Sequence, residues 1–220
     1  MPDTIRHPIE RRCVFDGRTQ PRLSPDRIER DGFAMLSTGP ALRWVLRIAA
    51  GAAQACGMAE GFGLGQPINS LGPRLVGDDP LAPSRLSARL GPDEWLLIAH
   101  GGPADVAEKL SRELREALGA AAHTLVDISH RNVAVVVMGP KATDVLNTGC
   151  PLDLDGSTFA IGSATRTLFA KSEVVLMRLD DDRGWPLFRL ECQRSFGPYV
   201  QQHLANSATL LGCASNAEDT

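Results

Sequence analysis

The chain has 220 residues, enough for one large domain or two small ones with a substantial hydrophobic core. Its 23 Lys and Arg residues against 26 Asp and Glu residues leave a formal charge of -3, without the positive excess that a nucleic acid partner requires. We therefore expect no nucleic acid binding. We also expect no membrane insertion, because no stretch approaches the roughly 20 consecutive apolar residues of a membrane-spanning helix.

The first 38 residues form a polar segment rich in Arg, Asp and Pro, in which the apolar residues follow neither a helical nor a strand period. We predict an extended N-terminal arm over residues 1–38. The segment lacks the apolar core of a secretory signal. The five cysteines of the chain are widely spaced and odd in number, which favours reduced and mostly buried thiols. Together these features predict a cytoplasmic protein.

Residues 39–129 predict a first α+β lobe. Its first strand spans 41–48, because apolar residues alternate there with Arg43 and Arg47, as in a half-buried strand. An alanine-rich helix follows, and the Gly- and Pro-rich residues 57–79 predict a long surface connection. The remaining elements are a hairpin of two strands, a helix with one apolar face and a further strand, over residues 84–90, 94–100, 103–118 and 123–128.

Residues 130–205 predict a second α+β lobe. Asn132 to Met138 is apolar on both faces and predicts a central, buried strand. A helix is predicted over 140–148, since it begins at a proline and is followed by Gly149. Three further strands and a final helix are predicted over residues 164–170, 174–179, 186–191 and 198–204. Residues 206–220 are polar and predict a frayed C-terminal tail.

An internal repetition suggests how the two lobes are related. Three helices follow a strand through a Gly-Pro pair, at Gly102-Pro103, Gly139-Pro140 and Gly197-Pro198. The predicted elements follow the order βαββαβ twice along the chain, and this is the order of a ferredoxin-like unit. We therefore predict an α+β protein built from two ferredoxin-like βαββαβ-type lobes. The alternative is that Gly-Pro is simply a common way to begin a helix.

The sequence contains no complete motif for catalysis, nucleotide binding or metal binding. Gly61-Phe-Gly-Leu-Gly-Gln66 lacks the third glycine of a dinucleotide fingerprint. The histidines are not spaced four apart, and there is no Cys-x-x-Cys. Asp153-Leu-Asp155-Gly156 lacks the acidic positions of a calcium loop, and Ser195 lies outside any nucleophile elbow. We therefore predict no catalytic residue and no metal site in this chain.

Three arginines remain as candidates for ligand binding: Arg131, Arg166 and Arg194. Each lies at the rim of a predicted strand, where a guanidinium could pair with a carboxylate of a ligand or partner through its fixed fork of donors. The alternative for each is an intramolecular salt bridge or a solvated rim. Core packing or an interface role remains open for the three tryptophans, Trp44, Trp95 and Trp185.

Five segments together identify a family resemblance. They are Leu90-Gly-Pro-Asp-Glu-Trp-Leu-Leu97, Val126-Asp-Ile-Ser-His-Arg-Asn-Val-Ala-Val-Val-Val-Met-Gly-Pro-Lys-Ala142, Val145-Leu-Asn-Thr-Gly-Cys-Pro-Leu-Asp-Leu154, Arg166-Thr-Leu-Phe-Ala-Lys171 and Gln193-Arg-Ser-Phe-Gly-Pro-Tyr-Val200. In order and spacing they resemble the gamma subunit of heterotetrameric sarcosine oxidase. The segments are spread over residues 90–200, about half of the chain, and are more specific together than any one alone.

The resemblance implies a fold similar to the folate-binding region of the aminomethyltransferases. It also implies a noncatalytic subunit that binds the alpha subunit directly, with the beta and delta subunits in the same complex. This chain would carry no cofactor, whereas FAD, FMN, NAD, tetrahydrofolate and zinc would belong to the other subunits. The complex would oxidise sarcosine to glycine, with formation of peroxide and methylene-tetrahydrofolate.

Three alternatives remain open at this point. The chain could be a subunit of the related N-methylglutamate dehydrogenase. It could be an independent folate- or carboxylate-binding module that uses Arg131, Arg166 or Arg194. A stand-alone aminomethyltransferase is a further alternative, although the matched segments contain no distinct catalytic acid.

Overall fold

The computed structural model describes residues 31–56, 61–72, 85–100, 104–180 and 184–213. Cys13, most of the predicted N-terminal arm and the last seven residues of the predicted tail lie outside these ranges. The strands are β1 Ala34–Ser37, β2 Ala41–Ile48, β3 Ser70–Leu71, β4 Arg85–Arg89, β5 Glu94–His100, β6 His123–Asp127, β7 Asn132–Met138, β8 Ala164–Phe169, β9 Ser172–Leu179 and β10 Leu187–Gln193. The α-helices are α1 Ala50–Ala55, α2 Ala104–Leu118, α3 Ala142–Asn147 and α4 Gly197–Leu210, the last preceded by a 3-10 turn over Arg194–Phe196.

The strands form two antiparallel sheets with equivalent strand orders. The first sheet has the order β3-β4-β5-β2-β6, and the second has the order β8-β9-β10-β7-β1. In the first sheet, β5 lies between β2 and β4, the split βαβ arrangement of a ferredoxin-like unit. In the second sheet, β10 lies between β7 and β9 in the same way. The predicted α+β class with two related lobes is thus confirmed.

The second lobe departs from the predicted order in one respect. No strand follows α4 among the described residues, and the place that β6 takes in the first sheet is taken in the second sheet by β1, from the start of the chain. Strand β1 lies within the predicted arm and pairs with β7, Ala34 opposite Met138. The lobe boundaries at 39–129 and 130–205 stay a prediction.

The two sheets pack face to face, and the helices cover their outer faces. The layer between the sheets is apolar and draws residues from both of them, including Leu86, Leu96, Ile98, Val136, Met138, Met177 and Leu187. Helices α1 and α2 cover the first sheet, with Leu110, Leu114 and Leu118 against Trp44 and Trp95. Helices α3 and α4 cover the second sheet, with Val145, Leu146, Val200 and Leu204 against β7 and β10.

Several sequence predictions can be compared with these layers. Strand β7 is buried from Val133 to Met138, as predicted for a central strand. Trp44 and Trp95 are core residues, and Trp185 packs partly buried against the layer between the sheets. Among the described residues, no helix combines the length and the apolar character needed to cross a membrane.

Two sequence predictions need correction. The connection predicted over 57–79 is not confined to the surface, because Phe62 and Leu64 are buried in the core of the first lobe. The last helix does not end near residue 204 but continues to Leu210, and both Ala208 in its last turn and Cys213 just after it are buried in the core. Residues 206–213 therefore belong to the folded part, although their polar composition predicts a frayed tail.

Candidate functional site

A buried group of three charged residues joins the two sheets: Arg43 on β2, with Arg189 and Glu191 on β10. Side chains alternate along a strand. Since Leu42 and Trp44 pack toward the helices of the first lobe, Arg43 faces the second sheet. Since Phe188 and Leu190 likewise pack toward α3 and α4, Arg189 and Glu191 face the first sheet. We call these three residues the charged triad.

Glu191 is the centre of the charged triad. Its Oε2 accepts a hydrogen bond of 2.7 Å from Arg43 Nε, and its Oε1 accepts bonds of 2.9 Å and 2.6 Å from Arg189 Nε and Nη2. Burial by itself would raise the pKa of Glu191, but the positive charges of Arg43 and Arg189 and their hydrogen bonds outweigh burial and hold that pKa below its ordinary value. Glu191 is therefore ionised at neutral pH.

Arg43 is not fully satisfied within the charged triad. Its Nη1 donates to the carbonyl oxygen of Ala41 at 3.1 Å, whereas its Nη2 is buried without a hydrogen-bond partner. The side chain is only 2% exposed. The predicted half-buried strand is thus buried on both faces at this position, and an unpaired donor of a charged group there is energetically unfavourable.

Two cavities lie beside the triad. The arginine cavity, of about 30 Å³, is lined by Thr38, Arg43, Ser129, His130, Asn132 and Arg194, together with neighbouring backbone. The mixed-charge cavity, of about 70 Å³, is lined by Glu94, Arg131, Arg166, Glu173, Glu191 and Cys192 within an apolar surround. Both open at the junction of the two sheets, because the loop between β6 and β7 and the end of β10 meet there.

The structure places the three candidate arginines in two different environments. Arg131 and Arg166 line the mixed-charge cavity, and Arg194 lines the arginine cavity. Arg131 and Arg194 are nevertheless neighbours, since the backbone N–H of Arg194 donates to the carbonyl oxygen of Arg131 at 2.7 Å. The structure thus separates three residues that the sequence treats as equivalent.

Arg166 already has internal carboxylate partners. Its guanidinium bonds Glu94 of the first sheet and lies 3.5 Å from Glu173 Oε1. The hydrogen bond with Glu94 raises the pKa of Arg166. Arg47 Nη2 also lies 2.9 Å from Glu94 Oε2, so both oxygens of that carboxylate are engaged. This arrangement is the intramolecular salt bridge that the sequence left open for Arg166.

Arg131 and Arg194 have no such partners. Within the part of the chain that the structure describes, neither guanidinium forms an ion pair or a side-chain hydrogen bond. Arg131 is exposed, and Arg194 is half-buried. Of the three candidates, these two remain available to an external acceptor.

The remaining polar features have structural explanations. Asp153 Oδ1 accepts from the backbone N–H of Asp155, and Asp155 Oδ1 accepts from the backbone N–H of Ser157, so both carboxylates cap the loop. In the described ranges, no three His, Cys, Asp or Glu side chains are grouped to hold a metal ion. Burial, together with the nearby charge of Glu191, raises the pKa of the Cys192 thiol to about 12.

The sequence analysis did not single out the charged triad as a site. A signal exists, because Arg189 and Glu191 alternate with apolar residues in β10, and Arg43 lies between apolar residues in β2. That pattern is ordinarily read as a solvated face. Only the packing of the two sheets on each other makes these residues internal.

Comparison with known protein families gives a match to the family described as sarcosine oxidase, gamma subunit, over residues 49–209. The sarcosine oxidase subunit gamma of an Arthrobacter species is 35% identical over 101 residues, 46% of this chain and 47% of the relative. The corresponding subunit of Corynebacterium sp. strain U-96 is 32% identical over 128 residues, 58% of each chain. The matched segments thus span about half the length of these relatives.

Comparison of the structure with solved structures extends the similarity. A chain of the heterotetrameric sarcosine oxidase from Corynebacterium sp. U-96, in complex with pyrrole 2-carboxylate, matches with a TM-score of 0.69 and 26% identity. The match covers 84% of this chain and 88% of that chain. The glycine cleavage system aminomethyltransferase T from Bartonella henselae matches with a TM-score of 0.58 at 12% identity, over 84% of this chain and 50% of the other, which shows a shared fold.

Proposed function

Because the chain belongs to the sarcosine oxidase gamma subunit family, we propose that it is a noncatalytic subunit of a heterotetrameric sarcosine oxidase. The observation that carries the proposal is the structural similarity to a chain of such a complex, which extends over 84% of this chain. The alpha subunit is its direct partner, and the beta and delta subunits belong to the same assembly. The complex works in the cytoplasm, where it oxidises sarcosine to glycine.

The geometry of the described residues supports a role in assembly. The candidate arginine with the most contacts, Arg166, is engaged by two carboxylates of the chain itself. The arginine and mixed-charge cavities, of about 30 and 70 Å³, are several times smaller than the roughly 300 Å³ at which pockets for drug-sized ligands begin. Neither cavity could enclose a folate or a flavin. On the family resemblance, we propose that FAD, FMN, NAD, tetrahydrofolate and zinc belong to the other subunits.

The fold similarity to an aminomethyltransferase does not by itself indicate that this chain binds a cofactor. Related folds carry unrelated functions, so a likeness at 12% identity supports the fold and leaves the activity open. A stand-alone aminomethyltransferase or folate-binding module would need a pocket for its cofactor. The two cavities beside the charged triad do not supply one, and the family match favours the subunit role.

The proposal can be tested by co-expressing the tagged chain with the alpha, beta and delta subunits and purifying it through the tag. We expect a complex of four chains that absorbs visible light through its flavins and produces peroxide when sarcosine is added. N-methylglutamate, supplied in parallel, distinguishes the sarcosine oxidase from the related dehydrogenase. Recovery of the chain alone, colourless and monodisperse, would contradict the subunit role.

A separate measurement addresses the folate alternative. Tetrahydrofolate is titrated into the isolated chain in a calorimeter, and into the assembled complex as a positive control. We expect heat from the complex and none from the isolated chain. Saturable heat from the isolated chain, reduced in Arg131→Gln or Arg194→Gln, would instead support a folate-binding module.

A further inference from the structure

We propose that the arginine cavity is a binding site for a single carboxylate group, held by Arg43 and Arg194 at the junction of the two sheets. The site would take the carboxylate of a small organic acid or of an aspartate or glutamate side chain. The inference does not depend on the subunit role, since it rests on the charge, the hydrogen bonding and the size of the cavity in this chain.

The charge of the cavity is one-sided. Two arginines and a histidine line it, and none of its described lining residues is acidic. The mixed-charge cavity provides an internal comparison, because three glutamates face two arginines there. Of the two arginines in the mixed-charge cavity, Arg166 is paired within the chain. In the arginine cavity, Arg43 is paired with Glu191 through Nε only, and Arg194 has no carboxylate among the described lining residues. An anion is the species that would complete it.

The hydrogen bonding of the two arginines also favours an anion in the cavity. Arg43 lines the cavity, is 2% exposed and has a buried Nη2 without an acceptor. Arg194 also lines it and has no side-chain partner among the described residues. A buried guanidinium N–H without an acceptor is unfavourable, and a charged acceptor is the strongest remedy. The planar fork of a guanidinium matches the two oxygens of a carboxylate.

The size of the cavity limits the ligand. The volume open to the centres of water-sized molecules is about 30 Å³, two to three times the roughly 10–15 Å³ that one water needs, so the cavity accepts a small head group and no ring system. A carboxylate can enter with the rest of its molecule outside. Arg43 itself is held in place, because its Nε is bonded to Glu191 and its backbone N–H donates to Ser129 Oγ at 2.9 Å. The site is thus preorganised at Arg43.

Sodium formate is the probe for a free carboxylate. The isolated chain is titrated with it at constant ionic strength, and the melting temperature is followed, since a ligand that binds only the folded state raises it. Arg194→Gln removes the half-buried cation of the cavity. Arg131→Gln is the matched control, because it removes the same charge beside Arg194 but from the mixed-charge cavity. We expect saturable stabilisation of the wild type and of Arg131→Gln, with the apparent affinity at least about tenfold weaker in Arg194→Gln.

A second arm tests a carboxylate supplied by a partner chain. The two variants are co-expressed with the other three subunits, and the fraction of tagged chain that retains the alpha subunit is measured as salt is raised. A complex that Arg194→Gln weakens and Arg131→Gln does not, with no response to formate, assigns the cavity to an acidic side chain of the partner. If Arg194→Gln and Arg131→Gln behave alike in both arms, the proposal is overturned and the cavity holds water. Melting without formate verifies that both variants are folded. The titration of the isolated chain with formate can be interpreted even if no complex forms.

Discussion

Arg43 Nε and Glu191 Oε2 lie 2.7 Å apart, although the two residues are 148 positions apart in the chain and belong to different sheets. Both side chains are almost completely buried, at 2% and 0% exposure. The contact is therefore a polar connection through an otherwise apolar layer. It fixes how one lobe sits on the other, because an ion pair with defined hydrogen bonds tolerates less displacement than aliphatic packing.

Removal of the Glu191 carboxylate is expected to destabilise the protein strongly. Glu191→Gln removes the buried carboxylate that Arg43 and Arg189 share, and breaking a buried pair in this way costs about 3–5 kcal/mol. Urea unfolding measures the change. Glu173→Gln is the control, since the Glu173 side chain is 66% exposed and its pairing with Arg166 is worth no more than about 1 kcal/mol. Similar small losses in both variants would contradict a structural role for the charged triad.

We expect Glu191 to make the stability of the folded protein depend on pH in the acid range. Its pKa in the folded protein is below the ordinary value of 4.5, so the unfolded chain takes up the proton first as the pH falls. The contribution of Glu191 is complete above pH 4.5 and is lost as the pH drops through the lowered folded pKa. The difference in unfolding free energy between the wild type and Glu191→Gln should therefore shrink in acid. A difference that stays constant down to the acid transition would show that the pKa is not lowered.

The cysteines should differ in reactivity. Burial raises the pKa of Cys192 to about 12, so almost none of it is thiolate at pH 8, and the side chain is 2% exposed. Cys56 is only half-buried. In native protein we expect iodoacetamide to label Cys56 well before Cys192, and both to react in urea, as read from peptide masses. Equal native labelling would indicate that the layer beneath α4 opens readily.

The ion pair between Arg166 and Glu94 joins the two sheets near the mixed-charge cavity. Because Arg166 is 42% exposed, solvent screens the pair, and we expect a coupling energy of about 0.5–1 kcal/mol. A double-mutant cycle with Arg166→Gln and Glu94→Gln measures it by urea unfolding. Zero coupling would leave Arg166 available for the ligand-binding role predicted from the sequence.

The glycine of one Gly-Pro pair is expected to be essential for a geometric reason. Gly139 has a φ of 118°, and a Cβ there would lie 2.7 Å from the carbonyl oxygen of Gly32. Gly139→Ala should cost at least about 1–3 kcal/mol, because the strain falls on backbone that leads into β1. Gly51→Ala is the matched control, since Gly51 lies in α1 with nothing within 4 Å, and it should be neutral or slightly stabilising. The two melting temperatures should move in opposite directions or differ by several degrees.

Much of the secondary structure follows from local pattern alone. The strand over Asn132–Met138 was predicted with its observed bounds, and the hairpin before α2 was predicted within one residue at each end. Apolar periodicity, Gly-Pro pairs and turn residues are local signals, so they reach the correct element without knowledge of its neighbours. The end of α4 was missed because its last turn is polar and is held by packing of Ala208.

The sequence by itself determined the α+β class, the order of the elements other than β1 and β3, the resemblance to the gamma subunit family and the three arginines as candidates. Only the tertiary structure decided which of them has an internal partner, and that Arg43, Arg189 and Glu191 are buried. Alternation of charged and apolar residues shows that a strand has two different faces, but it does not show what covers the polar one. Here the second sheet covers the polar face of β2. That sheet includes β1, which pairs with β7 through residues about a hundred positions apart in the chain.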